Sequence, residues 1–181
     1  MNFDLLVVGL LKTSFGVVTA IVLVALAARL LGRLLRWGDI DAQVMHGNVA
    51  AGILYASSLI ALGLLVQHAV SATFTAMDLM YRGEPSQLGM LATFALYAFG
   101  HVSIALLVGA LALALGCWAF DRMTAGIEEV AEVRKGNIAA AVVMGGVLIL
   151  IAMLAAPGLT TMLDGLLPIP QLGRDVLHLP S

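Results

Sequence analysis

Residues 33–65 read RLLRWGDIDAQVMHGNVAAGILYASSLIALGLL, and residues 122–154 read RMTAGIEEVAEVRKGNIAAAVVMGGVLILIAML. Set 89 positions apart, they share Arg33 with Arg122, Ala42 with Ala131, Val44 with Val133, Gly47 with Gly136 and Asn48 with Asn137. Ala50 with Ala139, Ala51 with Ala140, Leu59 with Leu148, Ile60 with Ile149 and Leu65 with Leu154 bring the identities to ten in 33 positions. Asp39 opposite Glu128 and His46 opposite Lys135 are conservative matches at the same offset, so the unit is duplicated. Each copy passes from a charged connection into a long apolar run. The duplicated unit is a helical hairpin suited to a bilayer, and the chain divides into 1–88 and 89–181.

With 61% hydrophobic and 11% charged residues and a mean hydropathy of +1.04, the chain has too little polar surface to cover a soluble domain of 181 residues. It reads as an all-α integral membrane protein whose first partner is the lipid bilayer. The net charge of −2 comes with no basic stripe, which argues against nucleic acid. Cys117, the only cysteine, cannot form a disulfide within the chain and reads as a packing residue in an apolar segment.

Four stretches are apolar enough to span: Phe15 to Leu35, Asn48 to Val66, Phe99 to Phe120, and Asn137 to Ala156. Each offers roughly 20 residues, the length that a hydrocarbon core of about 30 Å requires. Met1 to Asp4 carries an acid and no cation cluster, so the first span is expected to be retained and not cleaved as a signal. Arg29, Arg33, Arg36, Arg122, Arg134 and Lys135, six of the nine Lys and Arg residues, fall on or beside the two intra-repeat connections. By the positive-inside rule both connections are cytoplasmic and both termini face outward. Trp37, Trp118 and Phe120 fit an interfacial aromatic belt. The two hairpins enter the membrane from one side, so the expected fold is four transmembrane helices as two parallel tandem helical-hairpin repeats with short interfacial helices.

Those interfacial helices are read at the connections. Ile127, Val130, Ala131 and Arg134 share one face, Glu128, Glu129, Glu132 and Lys135 supply the polar one, and Glu132 with Lys135 is spaced as an i,i+3 pair. The connection from Asp39 to His46 is a weaker version. Beyond the second span of each unit, Val70, Phe74, Met77 and Tyr81, and then Leu159, Met162, Leu163 and Leu166, have helical spacing. Amphipathic helices lying on the outer surface are expected there, with a turn at Gly83 to Pro85 and an end at Pro168 and Pro170.

Gly47-Asn48 and Gly136-Asn137 open the second and fourth spans. One reading has Gly permitting the bend while Asn caps a helix whose first amides would otherwise meet lipid unpaired. The other has two symmetry-related Asn side chains lining a polar opening near the bundle axis. Just beyond them runs a small-residue stripe, Gly52 and Ala56 in one repeat and Ala141 and Gly145 in the other. That spacing lets helix backbones approach closely in lipid, either between the second and fourth spans or between two copies as a homo-oligomer.

Lys12 and His101 each lie 21 positions before a cationic anchor, Arg33 or Arg122, which is about 31 Å of helix. This depth places both at the outer interface, where Lys snorkels and His meets water, and His68 reaches a similar level. The rim so formed, with Asp78, Asp164 and His178 near it, reads as interfacial polarity. A metal or proton-sensing site would need a fixed carboxylate partner and short ligand spacing. No catalytic set, phosphate loop, metal set or cofactor motif is expected, and the chain reads as no enzyme.

The doubled motif Gly47-Asn48-Val49-Ala50-Ala51 and Gly136-Asn137-Ile138-Ala139-Ala140, after a charged connection and before a small-residue span, resembles the YjfL-like bacterial inner-membrane proteins, the domain of unknown function 350. The resemblance covers roughly Phe15 to Ala156. It implies a four-span protein of the bacterial inner membrane, encoded near membrane-stress proteins of the phage-shock or band-7 type, with no catalytic residues to carry over. Val70 to Gln87 and Pro157 to Ser181 lie outside the pattern. The expected function is a scaffold or anchor in envelope or membrane-stress assemblies, with the charged connections offered to cytoplasmic or membrane-associated proteins. The alternative is a small ion or solute transporter or channel, supported by the internal repeat and by Tyr55, Ser57, Ser58 and Ser103.

Overall fold

In lipid a backbone must satisfy its own polar groups, and an apolar run without water turns helical for that reason. The computed structural model describes residues 3–34, 40–82, 88–124 and 129–166, and among these every regular element is a helix. They are α1 (Phe3–Leu34), α2 (Ile40–Met45), α3 (Val49–Arg82), α4 (Leu88–Met123), α5 (Glu129–Arg134) and α6 (Ile138–Leu166). Three segments are long and apolar enough to cross a membrane: Val49–Ala76, Ala95–Met123 and Ile138–Leu166. In α1 the apolar segment Gly9–Ala25 is shorter. The six-residue helices α2 and α5 stand at the two connections.

The expected outer-surface helices are not separate elements. α3 runs unbroken for 34 residues and α6 for 29. At 1.5 Å per residue, α3 is about 50 Å long, some 20 Å more than a hydrocarbon core. The reason is packing: Ala69, Thr73 and Ala76 continue the buried face of α3, and Leu159 and Leu163 continue that of α6, so nothing turns either helix onto the surface. Pro157 also lies inside α6 and does not end it. Its ring forfeits one hydrogen bond, to the carbonyl of Met153 on an exposed face, and the buried face carries the helix through. Gly83 to Pro85, Pro168, Pro170 and His178 lie outside the described residues.

α3 is the central helix. It packs most extensively on α6, then on α4, and α4 also packs on α6. Leu54, Leu62, Leu65, Leu113, Met144 and Leu148 are wholly buried between them. Hydroxyls in the seam are turned back on their own helices. Ser58 Oγ donates to Leu54 O at 2.6 Å and Thr73 Oγ1 to Ala69 O at 2.8 Å, which disposes of a polar group without a partner helix.

Glycine sets the close approaches. A side chain begun at Gly109 of α4 would sit 3.1 Å from Leu65 Cδ1, one at Gly116 would overlap Ile151, and one at Gly145 of α6 would overlap Ser57 of α3. α1 lies against α3 and α4. Phe15 meets Phe74 edge-on with ring centroids 6.0 Å apart, and Leu23 is buried. A cavity of about 390 Å³ remains between α1 and α4, lined by Phe15, Val18, Thr19, Ala98, Val102 and Leu106 among others.

Candidate functional site

Each short helix reverses into a long one through three residues, the last two of which are glycine and asparagine in both repeats. In the first repeat Gly47 takes φ +81°, and its N–H donates to Val44 O at 2.9 Å while Asn48 N–H donates to Gln43 O at 3.0 Å. In the second, Gly136 takes φ +89°, with Gly136 N–H to Val133 O at 2.9 Å and Asn137 N–H to Glu132 O at 3.0 Å. This pair of bonds closes the short helix in a Schellman motif, and the left-handed φ is what glycine supplies there without a Cβ penalty. Asparagine then starts the long helix. Asn48 Oδ1 accepts from Ala51 N–H at 3.1 Å and Asn137 Oδ1 from Ala140 N–H at 3.2 Å, the third amide of α3 and α6 respectively.

The amide ends of the two asparagines do different things. Asn48 Nδ2 donates to Gln43 Oε1 at 2.8 Å and reaches into the other repeat, where Val133 O and Arg134 O, the last carbonyls of α5, lie at 3.1 and 3.2 Å. Asn137 Nδ2 stays within its own repeat, 3.3 Å from Glu132 Oε2. Gln43 and Glu132 are equivalent by the 89-residue period, and both offer a side-chain oxygen five residues before the asparagine. The sequence carries that signal, but a conservative Gln-to-Glu match does not single itself out. Lys135 Nζ lies 2.7 Å from Glu132 Oε1. That hydrogen bond first, and the Asn137 amide next, hold the Glu132 carboxyl below its ordinary value of 4.5.

The small-residue stripe is divided. Ala141 and Gly145 are buried, Gly145 against Ser57 of α3, whereas Gly52 is half-buried with nothing within 4 Å of where a side chain would begin, and Ala56 is exposed.

The rim residues are likewise in unlike settings. Lys12 Nζ sits 5.7 Å from the Phe74 ring centroid, His68 is half-buried, and His101 is wholly buried. The expectation that His101 meets water is corrected. Its ring stacks on Tyr97 with centroids 4.1 Å apart, its Nδ1 lies 3.3 Å from Tyr97 O, and its Nε2 has no hydrogen-bond partner. Counting residues from Arg122 gives height along the helix, and height does not tell which way a side chain points. Glu129, placed with the polar face of its connection, is also buried, with Oε2 unpartnered. Among the described residues no group of three or more His, Cys, Asp or Glu is placed to hold a metal.

At the connection end of α4, the Arg122 guanidinium lies 5.3 Å from the ring of the exposed Trp118. A cation beside an amphipathic ring is the arrangement found at a membrane interface.

A family model described as Domain of Unknown Function (DUF350) matches residues 4–103 and again residues 94–168. The two matches follow the duplication in tandem. No curated protein and no solved structure matches the chain at a significant level.

Proposed function

This chain belongs to the DUF350 family, and from that premise we propose that it is a non-enzymatic scaffold or anchor in the bacterial inner membrane. α1 is its fourth span, the hairpins stand parallel, both connections face the cytoplasm and both termini face outward. Support for this topology comes from the cations and from Arg122 beside Trp118 at the end of α4. The observation that carries the scaffold reading is the seam of α3, α4 and α6, filled by leucine and alanine, with Ser58 and Thr73 hydroxyls bonded to their own helices. The polar, partner-facing chemistry lies at the connections, where Met45 and Lys135 are exposed.

Topology is tested with Met45→Cys, Lys135→Cys and Ser86→Cys, each in a Cys117→Ala background. An impermeant thiol reagent added to intact cells is expected to label Ser86→Cys only. Labelling of Met45→Cys or Lys135→Cys but not Ser86→Cys would invert the topology.

The second reading, a small transporter or channel, is favoured by one observation: buried His101 with its free Nε2. An intramembrane ionisable group is a default candidate for a proton path. Liposomes holding the purified protein and pH- or potassium-sensitive dyes are expected to be no leakier than protein-free ones. Photocrosslinkers placed at Met45 and Lys135 in intact cells are expected to capture a second protein species that one placed at exposed Leu96 does not. Flux that scales with protein and falls in His101→Phe, with no capture at the connections, would replace the scaffold by a transporter.

A further inference from the structure

The duplication gives every interface inside this chain a second copy of each of its faces. Adding 89 to Ser57 gives Gly146, and subtracting 89 from Gly145 gives Ala56. In the seam, α3 presents Ser57 and α6 presents Gly145. These are neighbouring positions in the repeat frame, about 100° apart around a helix. A two-fold relation matches a face to itself. A two-fold would also bring Ala56 onto Gly146, yet both are exposed, so the reciprocal contact is missing, the joint is head-to-tail, and such a joint leaves one complementary half open at each end.

Both open halves are present. On α6 the counterparts of Ser57, Ala61 and Leu64 are Gly146, Leu150 and Met153, and all three are exposed, Leu150 at 55% and Met153 at 60%. On α3 the counterparts of buried Ala141, Gly145 and Ala152 are Gly52, Ala56 and Gly63. Ala56 is exposed, and side chains begun at Gly52, Gly63 or Gly146 would meet nothing within 4 Å.

A second seam repeats the pattern. Leu65 of α3 packs on Gly109 of α4, and the counterparts of this pair, Leu154 on α6 and Ala20 on α1, are both exposed, Leu154 at 74%. The chain's own α1 lies against α3 and α4. The α1 that would meet Leu154 therefore has to come from elsewhere.

We propose that the occupant is a second copy of this chain. One copy's α6 packs Gly146, Leu150 and Met153 against α3 of the next along Gly52, Ala56 and Gly63, and its Leu154 meets Ala20 of that next copy. The new joint continues the internal one, with Gly146 against Ala56 where the chain already has Gly145 against Ser57. Each pair sets a glycine against a short side chain, the condition for close helix approach in lipid, where packing rather than hydrophobic burial drives association. Repeats in parallel keep successive copies in the same orientation, so a head-to-tail series can close into a ring. This assembly does not depend on whether the protein anchors others or transports.

The test uses full-length chains carrying different affinity tags, one with Ala56→Cys and one with Gly146→Cys, both in Cys117→Ala, co-expressed and oxidised in native membranes with copper phenanthroline. A disulfide-linked species bearing both tags is expected, with loss of that species when either chain is expressed alone. If either single-cysteine chain crosslinks to itself equally well, like faces pair and the head-to-tail joint is wrong. If no pair crosslinks although both thiols react after solubilisation, these faces meet lipid and the proposal fails. As a second measurement, Gly146→Leu is expected to lose the oligomer in nanodiscs while the melting temperature of the monomer stays unchanged. Retention of the oligomer overturns the joint.

Discussion

Gly145→Leu is expected to lower the thermal unfolding midpoint of the purified monomer markedly, while Gly52→Leu, at the other glycine of the small-residue stripe, leaves it nearly unchanged. The first carbon of a side chain at Gly145 would lie 2.8 Å from Ser57 Cβ and closer still to its hydroxyl. A Cβ is fixed to its backbone and cannot rotate away, so relief requires α3 and α6 to move apart along their main seam. Overpacking of this kind costs about 1–3 kcal/mol and occasionally more. At Gly52 a side chain meets open space within the chain. Circular dichroism melts of the two variants at equal detergent concentration check the contrast. Equal losses would mean that both halves of the stripe are buried in one monomer.

The contrast shows what a repeated sequence can and cannot express. Ala50-Ala51 and Ala139-Ala140 announce two like helices, and Gly-Asn announces how each one starts. The backbone at Gly47 and Gly136 is a local matter, settled by φ angles and bonds no more than five residues long, and local chemistry is legible in a window of that size. Which face of each like helix meets the other is a non-local matter. Ser57 meets Gly145, whereas Ala56 and Gly146 are left open, and nothing in either repeat read alone distinguishes the used face from the unused one. The length of α3 was hidden for a related reason. Gln67 and His68 lower the hydropathy at the point where a span of ordinary length ends, yet Ala69 and Thr73 keep the helix buried beyond it. His101 shows the same limit, because residue counting supplies its height and not its azimuth.

Asn48→Ala is expected to destabilise the protein more than Asn137→Ala, although the two residues occupy the same place in the motif. Each substitution removes an N-cap, worth about 1 kcal/mol. Asn48→Ala also removes the amide donor that binds Val133 O and Arg134 O across the repeats, and a hydrogen bond of that kind contributes about 1 kcal/mol, more where the abandoned carbonyl is sheltered from water. The expected losses are therefore about 2–3 kcal/mol at Asn48 and about 1 kcal/mol at Asn137. Serine separates the two contributions, since its hydroxyl can cap a helix but is too short to reach α5. Asn137→Ser should melt close to the wild type, and Asn48→Ser should recover only the capping share. If Asn48→Ala and Asn137→Ala melt together, or if Asn48→Ser restores full stability, the amide bridge from α3 to α5 contributes nothing and the two repeats are joined by their helix seams alone.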